Sequence, residues 1–217
     1  PEEPGRLVIA LTGPRALPTW QGSDQTPFDF YDMKGILSTL LNGLHITDLR
    51  FEPGQRPTFH PGKCGQVIVG GKIVGFFGEI HPLVKERLDV NEFPILVADF
   101  DLDMIIDSIP ERYNVQPVPV YPPVLEDLAI VVDEDLPAAR VESTIRKAAK
   151  DIVTAVQLFD VYRGESIGQG KKSLAYAITY QAPDRTLTDN EVARIRQRII
   201  QMLNVEINAR IRSLNET

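Results

Sequence analysis

The run from residue 171 to residue 180 alternates bulky apolar side chains with small or polar ones. The bulky set is Leu174, Tyr176, Ile178 and Tyr180, and the small or polar set is Lys171, Ser173, Ala175, Ala177 and Thr179. Because successive residues of a strand point to opposite faces, this pattern predicts a strand with one face suited to burial beneath helices. The other face makes a nearly flat floor that a planar ligand such as a nucleobase can approach.

The neighbouring segments predict a complete small domain around this strand. In chain order they are a strand at 124–133, a helix with Pro137 in its first turn, strands at 153–163 and 171–181, a helix opened by the capping box Thr188-x-x-Glu191, and a strand at 205–212. This βαββαβ order is the ferredoxin-like plan. Both helices are expected to cover one face of the sheet and to leave the other open, as in RRM domains.

The first part of the chain predicts a mostly antiparallel α+β domain. Strands are predicted at 7–11, 28–32, 49–51, 66–69, 72–77 and 95–101, with Gly70-Gly71 as a hairpin turn, and helices at 33–44 and 81–87. Four prolines in the eleven residues 113–123 predict an extended linker. We therefore expect a first domain at 1–112, incomplete at its start, the linker at 113–123 and a second domain at 124–217.

Composition and charge narrow the class of protein. Apolar residues make up 43% of the chain and charged residues 24%, as in soluble globular proteins. No apolar run approaches the roughly 18 residues that span a bilayer. A single cysteine, Cys64, excludes an internal disulfide and favours a cytoplasmic location. The net charge of −7 argues against general nucleic-acid binding, but residues 124–217 are nearly balanced, with 13 basic and 14 acidic side chains.

No motif of the sequence composes a catalytic centre. The loop GESIGQGKKS lacks the spacing of a P-loop and joins two strands, so we interpret it as a flexible hairpin whose lysines suit a polyanion. His60, Cys64 and His81 are the candidate metal ligands. They lack a fourth ligand and the paired spacing typical of zinc sites, and we predict no metal.

Several longer stretches resemble a known family. YPPVLEDLAIVV and LFDVYRGESIGQGKKSLAYAITYQAPDRTLTDNEV, at their spacing in this chain, closely resemble the C-terminal anticodon-binding domain of bacterial phenylalanyl-tRNA synthetase β subunits. FDFYDMKG and FHPGKCGQVIVGGKIVGFFGEIHP resemble the class II synthetase-like core of the same subunits, a catalytically inactive relative of the α subunit's active module. The resemblance covers essentially the whole chain and indicates the C-terminal part of a β subunit.

The resemblance implies a division of labour between two subunits. The α subunit is expected to activate phenylalanine with ATP and Mg²⁺ and to transfer it to tRNA(Phe), in an enzyme expected to be a heterotetramer. This part of β is expected to carry no chemistry and no cofactor of its own, and to contact α and the tRNA. Arg50-Phe51-Glu52 echoes one class II motif, but GFFGEIHPLVKERL has no arginine in the setting of another, which implies a decayed active site.

The resemblance also places the anticodon loop on the open sheet of the second domain. The matching base-contact positions are Asp127, Ala129, Asp160, Tyr162 and Ser173, and the candidates for phosphate contacts are Arg163, Lys171 and Lys172. In this arrangement Tyr162 stacks on a base, and the small Ala129 lets a base approach closely. Many members of the family have arginine where this chain has Leu125-Glu126, so no basic phosphate contact is expected there.

Two alternatives stay open on the sequence alone. One is a stand-alone ferredoxin-like module that binds a small regulatory ligand, in which Asp160 and Tyr162 merely face solvent. The other is an enzyme with its active site in the first domain, in a pocket lined by Arg50, Glu52, His60 and Glu79.

Overall fold

The structure, a computed structural model, describes residues 3–90, 92–113, 115 and 118–212. The chain divides into two compact units, Pro1–Val115 and Gln116–Thr217. The predicted linker, 113–123, includes three positions outside the described residues, Asn114, Gln116 and Pro117, and its other positions belong to no helix or strand. Within the described ranges, no helix has both the length and the apolar character needed to cross a membrane.

The first unit is a five-stranded antiparallel sheet with a long helix against one face. Its elements are β1 (Arg6–Thr12), α1 (Phe30–Gly43), β2 (Leu49–Pro53), β3 (Phe59–Val69), β4 (Lys72–Ile80), α2 (Pro82–Arg87), β5 (Ile95–Asp101) and α3 (Leu102–Asp107). The strands lie in the order β1-β5-β4-β3-β2, and each neighbouring pair is antiparallel. The predicted α+β class is confirmed.

The prediction of a strand at 28–32 is wrong, because α1 begins at Phe30. The Asp29 carboxylate accepts hydrogen bonds from the backbone N–H groups of Tyr31 (2.7 Å) and Asp32 (3.1 Å). The Asp32 carboxylate accepts one in return from the Asp29 N–H (2.7 Å). This reciprocal capping box satisfies the first free N–H groups of the helix and outweighs the strand preference of the aromatic residues around it.

The core of the first unit lies between α1 and the sheet. Three apolar side chains are fully buried along α1 at helical spacing: Met33, Leu37 and Leu41. They join a cluster that contains the buried rings of Phe77 and Phe100. The Phe100 ring lies directly over Gly75 of the neighbouring strand, where any side chain would occupy the same space. The glycine therefore sets how closely β4 and β5 pack.

The second unit has the predicted βαββαβ order, and the ferredoxin-like plan is confirmed. Its elements are β6 (Val124–Asp133), α4 (Ala138–Ala149), β7 (Val153–Tyr162), β8 (Lys171–Tyr180), α5 (Asp189–Ile207) and β9 (Arg210–Ile211), with single 3-10 turns at Lys150–Ile152 and Glu165–Ile167. The strands lie in the order β7-β8-β6-β9, and their pairs are antiparallel.

Two predicted boundaries in this unit are wrong. Helix α5 continues to Ile207, through the start of the predicted strand 205–212, and only Arg210–Ile211 pairs with β6. Asn208 ends the helix in the left-handed conformation, with φ of 51°, which asparagine tolerates better than most residues. Pro137 lies at the N-cap of α4 and not in its first turn.

Both helices of the second unit pack on one face of its sheet. The bulky set of β8, Leu174, Tyr176, Ile178 and Tyr180, is about 1% exposed at each position. These side chains form one cluster with Val141 and Ile145 of α4 and with Val192 and Ile199 of α5. The Tyr176 hydroxyl donates to the backbone oxygen of Ala138 (2.9 Å), so its polar end is satisfied inside the core. The two faces predicted from the alternation of β8 are confirmed.

The substitution Gly75→Ala tests the close packing of the first sheet. The added carbon would overlap the Phe100 ring and lie 2.7 Å from the backbone oxygen of Asp99, in the partner strand. We expect the free energy of unfolding to fall by about 1–3 kcal/mol. Denaturant unfolding followed by circular dichroism measures the loss. Gly35→Ala, at an exposed position of α1 with open space around the added carbon, is the control and should be neutral or stabilising. Equal losses in the two variants would contradict the packing argument.

The capping box of α5 makes part of the second unit's stability depend on pH, through the ionisation of Glu191. The Glu191 carboxylate accepts hydrogen bonds from the N–H (3.0 Å) and hydroxyl (2.9 Å) of Thr188 and pairs with Arg185 (2.9 Å). These contacts, the Thr188 N–H first, lower the pKa of Glu191 to about 2 from an ordinary 4.5. Because the pKa is lower in the folded chain, this contribution is complete above pH 4.5 and is lost as the pH falls towards 2.

Glu191→Gln should remove this acid-dependent contribution. Urea unfolding followed by circular dichroism, repeated from neutral pH down to about pH 2, should show a shallower loss of stability for the variant than for the wild type. Glu142→Gln on α4, which breaks an exposed pair with Arg146, is the matched control and should follow the wild-type profile. If the stability of the Glu191 variant fell with pH as steeply as that of the wild type, Glu191 would not be the source of the acid dependence.

Candidate nucleic-acid interface

The face of the second sheet opposite the helices carries the predicted base-contact residues. Cross-strand pairs fix its rows, which run Tyr162–Ser173–Val131, Asp160–Ala175–Ala129 and Gln157–Ala177–Asp127. Paired residues of antiparallel strands share a face. The structure therefore brings Asp127, Ala129, Asp160, Tyr162 and Ser173 together on one surface, which we call the open face.

The open face is accessible at its rim and filled near its centre. Asp127 and Asp160 are exposed, and Tyr162 is 38% exposed. Ser173 is only 3% exposed, although it lies on the same face, and its cross-strand neighbours Tyr162 and Val131 stand on either side of it. The expectation of a flat, bare floor is therefore wrong at Ser173. Its hydroxyl can reach a base only after a neighbouring side chain moves.

The Tyr162 side chain leans over the beginning of the Gly-rich loop. Its hydroxyl lies 3.5 Å from the Ser166 hydroxyl, and a side chain at Gly164 would overlap the tyrosine hydroxyl and ring. Glycine at residue 164 thus provides the space in which the ring lies. The ring is held at the edge of the sheet, beside Ser173 of the neighbouring strand.

Arg212 belongs to the open face, and the sequence-based site does not include it. Its N–H donates to the backbone oxygen of Ala129 (2.9 Å), which continues the ladder of β9 by one residue. Its guanidinium carbon lies 4.8 Å from the centre of the Tyr162 ring, in a cation–π contact. The signal for Arg212 in the sequence is the basic pair Arg210/Arg212 on the last strand, where alternation places both residues on the open face.

A bulge in β7 decides which of its residues face the helices. The register shifts between Leu158 and Asp160, so that Phe159 is the extra residue of this strand. Asp160 pairs on the open face, whereas Leu158 pairs with Tyr176 on the covered face. Without the bulge, strict alternation would place Leu158 on the open face beside Asp160. The bulge therefore keeps this leucine out of the polar surface.

The three predicted phosphate-contact residues are bonded to Asp133 and Glu134 at the end of β6, two of them through ion pairs. Arg163 forms a bidentate pair with the Glu134 carboxylate, with nitrogen–oxygen distances of 2.8 and 3.2 Å. Lys171 pairs with Asp133, and the Lys172 ammonium donates to the backbone oxygen of Glu134 (2.7 Å). We call Asp133 and Glu134 the acidic turn. The three cations lie around one turn, and each of them is already bonded within the chain.

The contacts of this cluster change the pKa of one of its carboxylates. Hydrogen bonding from Arg163 lowers the pKa of Glu134, so its carboxylate stays ionised at neutral pH. The cluster borders a cleft of about 720 Å³, which the Gly-rich loop lines with Gly164, Gly168 and Gly170. The cleft is open to solvent and flanked by both signs of charge.

The candidate metal ligands of the first unit serve local backbone contacts. His60 Nδ1 accepts from the Gly62 N–H (3.0 Å), and His81 Nδ1 accepts from the Leu83 N–H (3.2 Å) at the start of α2. Cys64 is buried, and burial raises the pKa of its thiol. Among the described residues, no three His, Cys, Asp or Glu side chains converge as a metal site would require.

The residues of the alternative enzyme site do not line one cavity. Glu79 pairs with Lys63 (2.5 Å) and lines a cavity of about 290 Å³ with the aromatic residues that open α1. The Arg50 guanidinium instead lies 3.8 Å from the Asp48 carboxylate, and the Glu52 carboxylate lies 3.5 Å from the Gln66 amide. The cavity that contains Glu79 is lined by neither Arg50 nor Glu52 nor His60. A nucleotide pocket made of these four residues is therefore not formed.

Comparison with known proteins assigns both units. Residues 119–212 match the family model "Ferredoxin-fold anticodon binding domain", and residues 1–102 match the model "Phenylalanyl tRNA synthetase beta chain CLM domain". Relatives named phenylalanine–tRNA ligase β subunit align over 98% of this chain, at 41% identity in Symbiobacterium thermophilum, 37% in Geobacillus kaustophilus and 33% in Bacillus subtilis.

The aligned region is a limited part of each relative. The chain spans 24% of the Symbiobacterium protein and 26% of the other two, so it corresponds to about a quarter of their length. Within that region the two family models match consecutive segments, in the order that the structure shows for its two units. The chain belongs to the family of phenylalanyl-tRNA synthetase β subunits.

Proposed function

We propose that the open face binds the anticodon stem-loop of tRNA(Phe), and that the chain does so as the non-catalytic C-terminal part of a phenylalanyl-tRNA synthetase β subunit. The observation that carries this proposal is the convergence of Asp127, Asp160, Tyr162 and Arg212 on one helix-free sheet face. The match of the second unit to a ferredoxin-fold anticodon-binding domain supports the same function.

Stacking on Tyr162 supplies the sequence-tolerant part of the binding. An aromatic ring that supports a nucleobase contributes about 1–3 kcal/mol. The guanidinium of Arg212 lies over the ring in the free chain and is itself a planar group on which a base can stack. A base therefore either stacks against this pair or takes the place of the guanidinium, and in both cases a positive charge stays near the RNA backbone.

Hydrogen bonds to base edges supply the sequence-dependent part. The exposed carboxylates of Asp127 and Asp160 are acceptors, and they suit bases that present amino or ring N–H donors. Between them lie the small side chains of Ala129, Ala175 and Ala177, which let a base approach the sheet. A base with an acceptor at the wrong position would leave a carboxylate desolvated and unpaired, which costs about 1–3 kcal/mol or more.

The first unit is proposed to contact the α subunit. Helix α1 buries one side in the core and exposes Tyr31 (74%) and Ile36 (39%) on the other. Together with Leu40 they line one open cleft on the helix surface, and contiguous exposed apolar surface of this kind is typical of protein interfaces. In this proposal the α subunit supplies the ATP- and Mg²⁺-dependent chemistry, the complete enzyme is a heterotetramer in the cytoplasm, and this chain supplies a scaffold and an RNA-binding surface.

Tyr162→Ala should weaken binding of a tRNA(Phe) anticodon stem-loop by roughly 5- to 150-fold, the equivalent of one stacking contact. Fluorescence anisotropy with the 217-residue chain measures the affinity. Tyr162→Phe keeps the ring and loses only the hydroxyl near Ser166, so it should bind within about twofold of the wild type. Equal affinities of the alanine variant and the wild type would exclude Tyr162 as a stacking residue.

The chain alone should not bind ATP with micromolar affinity. Arg56 lines a cavity of the first unit together with Phe76 and Asp99, and its guanidinium lies over the Phe76 ring (4.1 Å), while Arg6 pairs with Asp99 (2.5 Å). Both cations are thus held by the chain itself. Isothermal titration of the chain with Mg²⁺-ATP should give no measurable heat of binding, and a micromolar dissociation constant would favour the alternative of an enzyme site in the first unit.

A further inference from the structure

The acidic turn gathers the cations of two neighbouring strands at one end of the sheet. Arg163 directly follows β7, whereas Lys171 begins β8. The turn is fixed in place by a hydrogen bond from the Glu134 N–H to the Gly170 oxygen (2.9 Å). Asp133 pairs across the sheet with Lys171, two positions along β8 from Ser173 and its partner Tyr162. At about 3.3 Å per residue, the acidic turn lies close to the ring on which a base would stack.

The contacts of the acidic turn resemble those of an RNA backbone. Arginine binds carboxylate and phosphate in the same bidentate geometry, and the Arg163–Glu134 pair has that geometry, with distances of 2.8 and 3.2 Å. An RNA phosphate can occupy the place of the Glu134 carboxylate only if the pair opens. Each RNA that uses these cations therefore first loses the contacts that they make in the free chain.

We propose that Asp133 and Glu134 are an intramolecular competitor for RNA phosphates and that they raise the selectivity of the open face. The proposal rests on the RNA-binding function proposed above. Binding that is independent of sequence comes from phosphate contacts, whereas base contacts carry the sequence information. The cognate loop forms the base-edge contacts at Asp127 and Asp160 and can stay bound while the pairs of the acidic turn remain closed. An RNA with the wrong loop lacks those contacts and depends more on phosphate contacts, so the cost of opening the pairs falls mainly on it.

The strength of the competitor follows from its exposure. The side chains of Arg163 and Glu134 are 58% and 46% exposed, and those of Lys171 and Asp133 are 37% and 55% exposed. Ion pairs at such exposure are weak and are screened by salt. The acidic turn therefore reduces the affinity for phosphate by a small factor and does not abolish it, as expected of a group that adjusts selectivity.

The direct test is the substitution Glu134→Gln in the 217-residue chain, with Glu142→Gln as the matched control. Glu142 forms an ion pair with Arg146 on α4, behind the sheet, at a similar exposure of 41% and 45%. Both variants remove one negative charge and one ion pair. Affinity is measured by fluorescence anisotropy at several salt concentrations, for a tRNA(Phe) anticodon stem-loop and for the same stem with a scrambled loop.

We expect Glu134→Gln to bind both RNAs more tightly, by about two- to fivefold for one exposed pair, with the larger gain for the scrambled loop. Its affinity should also fall more steeply with salt, by about the increment of one additional phosphate contact. The control should keep wild-type affinity, selectivity and salt dependence. Thermal unfolding by circular dichroism should be alike for the two variants.

A double-mutant cycle separates competition from a general change of charge. Arg163→Gln should weaken RNA binding more in the Glu134→Gln background than in the wild type, because there the ion pair with Glu134 no longer has to open before the guanidinium binds phosphate. Additive effects of the two substitutions would overturn this inference alone. Equal affinities of the Glu134 and Glu142 variants for both RNAs would do the same, where the wild type binds the anticodon stem-loop more tightly than the scrambled one. A wild-type chain that binds neither RNA would overturn the proposed function together with it.

Discussion

The burial of two tyrosines on β8 is the constraint on which the second unit depends. Tyr176 and Tyr180 are each about 1% exposed, and burial raises the pKa of both hydroxyls. Only the stacking of α4 and α5 on the same face provides the apolar contacts that such large side chains need. With both helices used on that face, the opposite face has no cover from the second unit's helices. The surface proposed for RNA is therefore a consequence of how the core is built.

The alternation of residues was sufficient to predict the faces of β6 and β8, because these central strands pair on both sides and have regular register. It was not sufficient for β7, an edge strand in which Phe159 is inserted as a bulge. An edge strand pairs on one side only, so an extra residue disturbs fewer contacts there. Sequence alternation carries no sign of that insertion. The correct placement of Asp160 and Tyr162 depended on both residues lying on the same side of the bulge.

Local capping chemistry explains the other differences between the predicted and observed elements. The aromatic residues around Asp29 favour a strand, but the two reciprocal carboxylate contacts at Asp29 and Asp32 begin a helix. At the far end of the chain, α5 extends until Asn208, so the last strand is shorter than its alternating pattern indicated. Arg212 lies directly after this short strand, and its N–H continues the pairing with β6. The Arg212 guanidinium contacts the Tyr162 ring, although the two residues come from opposite edges of the sheet. Patterns along the sequence do not indicate which side chains meet across four strands.

The electrostatics of the chain favour recognition at short range. The chain carries a net charge of −7, of which residues 124–217 contribute little because their 13 basic and 14 acidic side chains nearly cancel. A polyanion approaching such a chain gains no long-range attraction, and at physiological salt fields decay within about 8 Å. Arg163 and Lys171 are themselves held by Glu134 and Asp133. In the proposed function, affinity then comes from contacts made after the RNA has arrived, and those to the carboxylates of the sheet depend on which bases are present. A surface of this kind gives up association rate and gains selectivity.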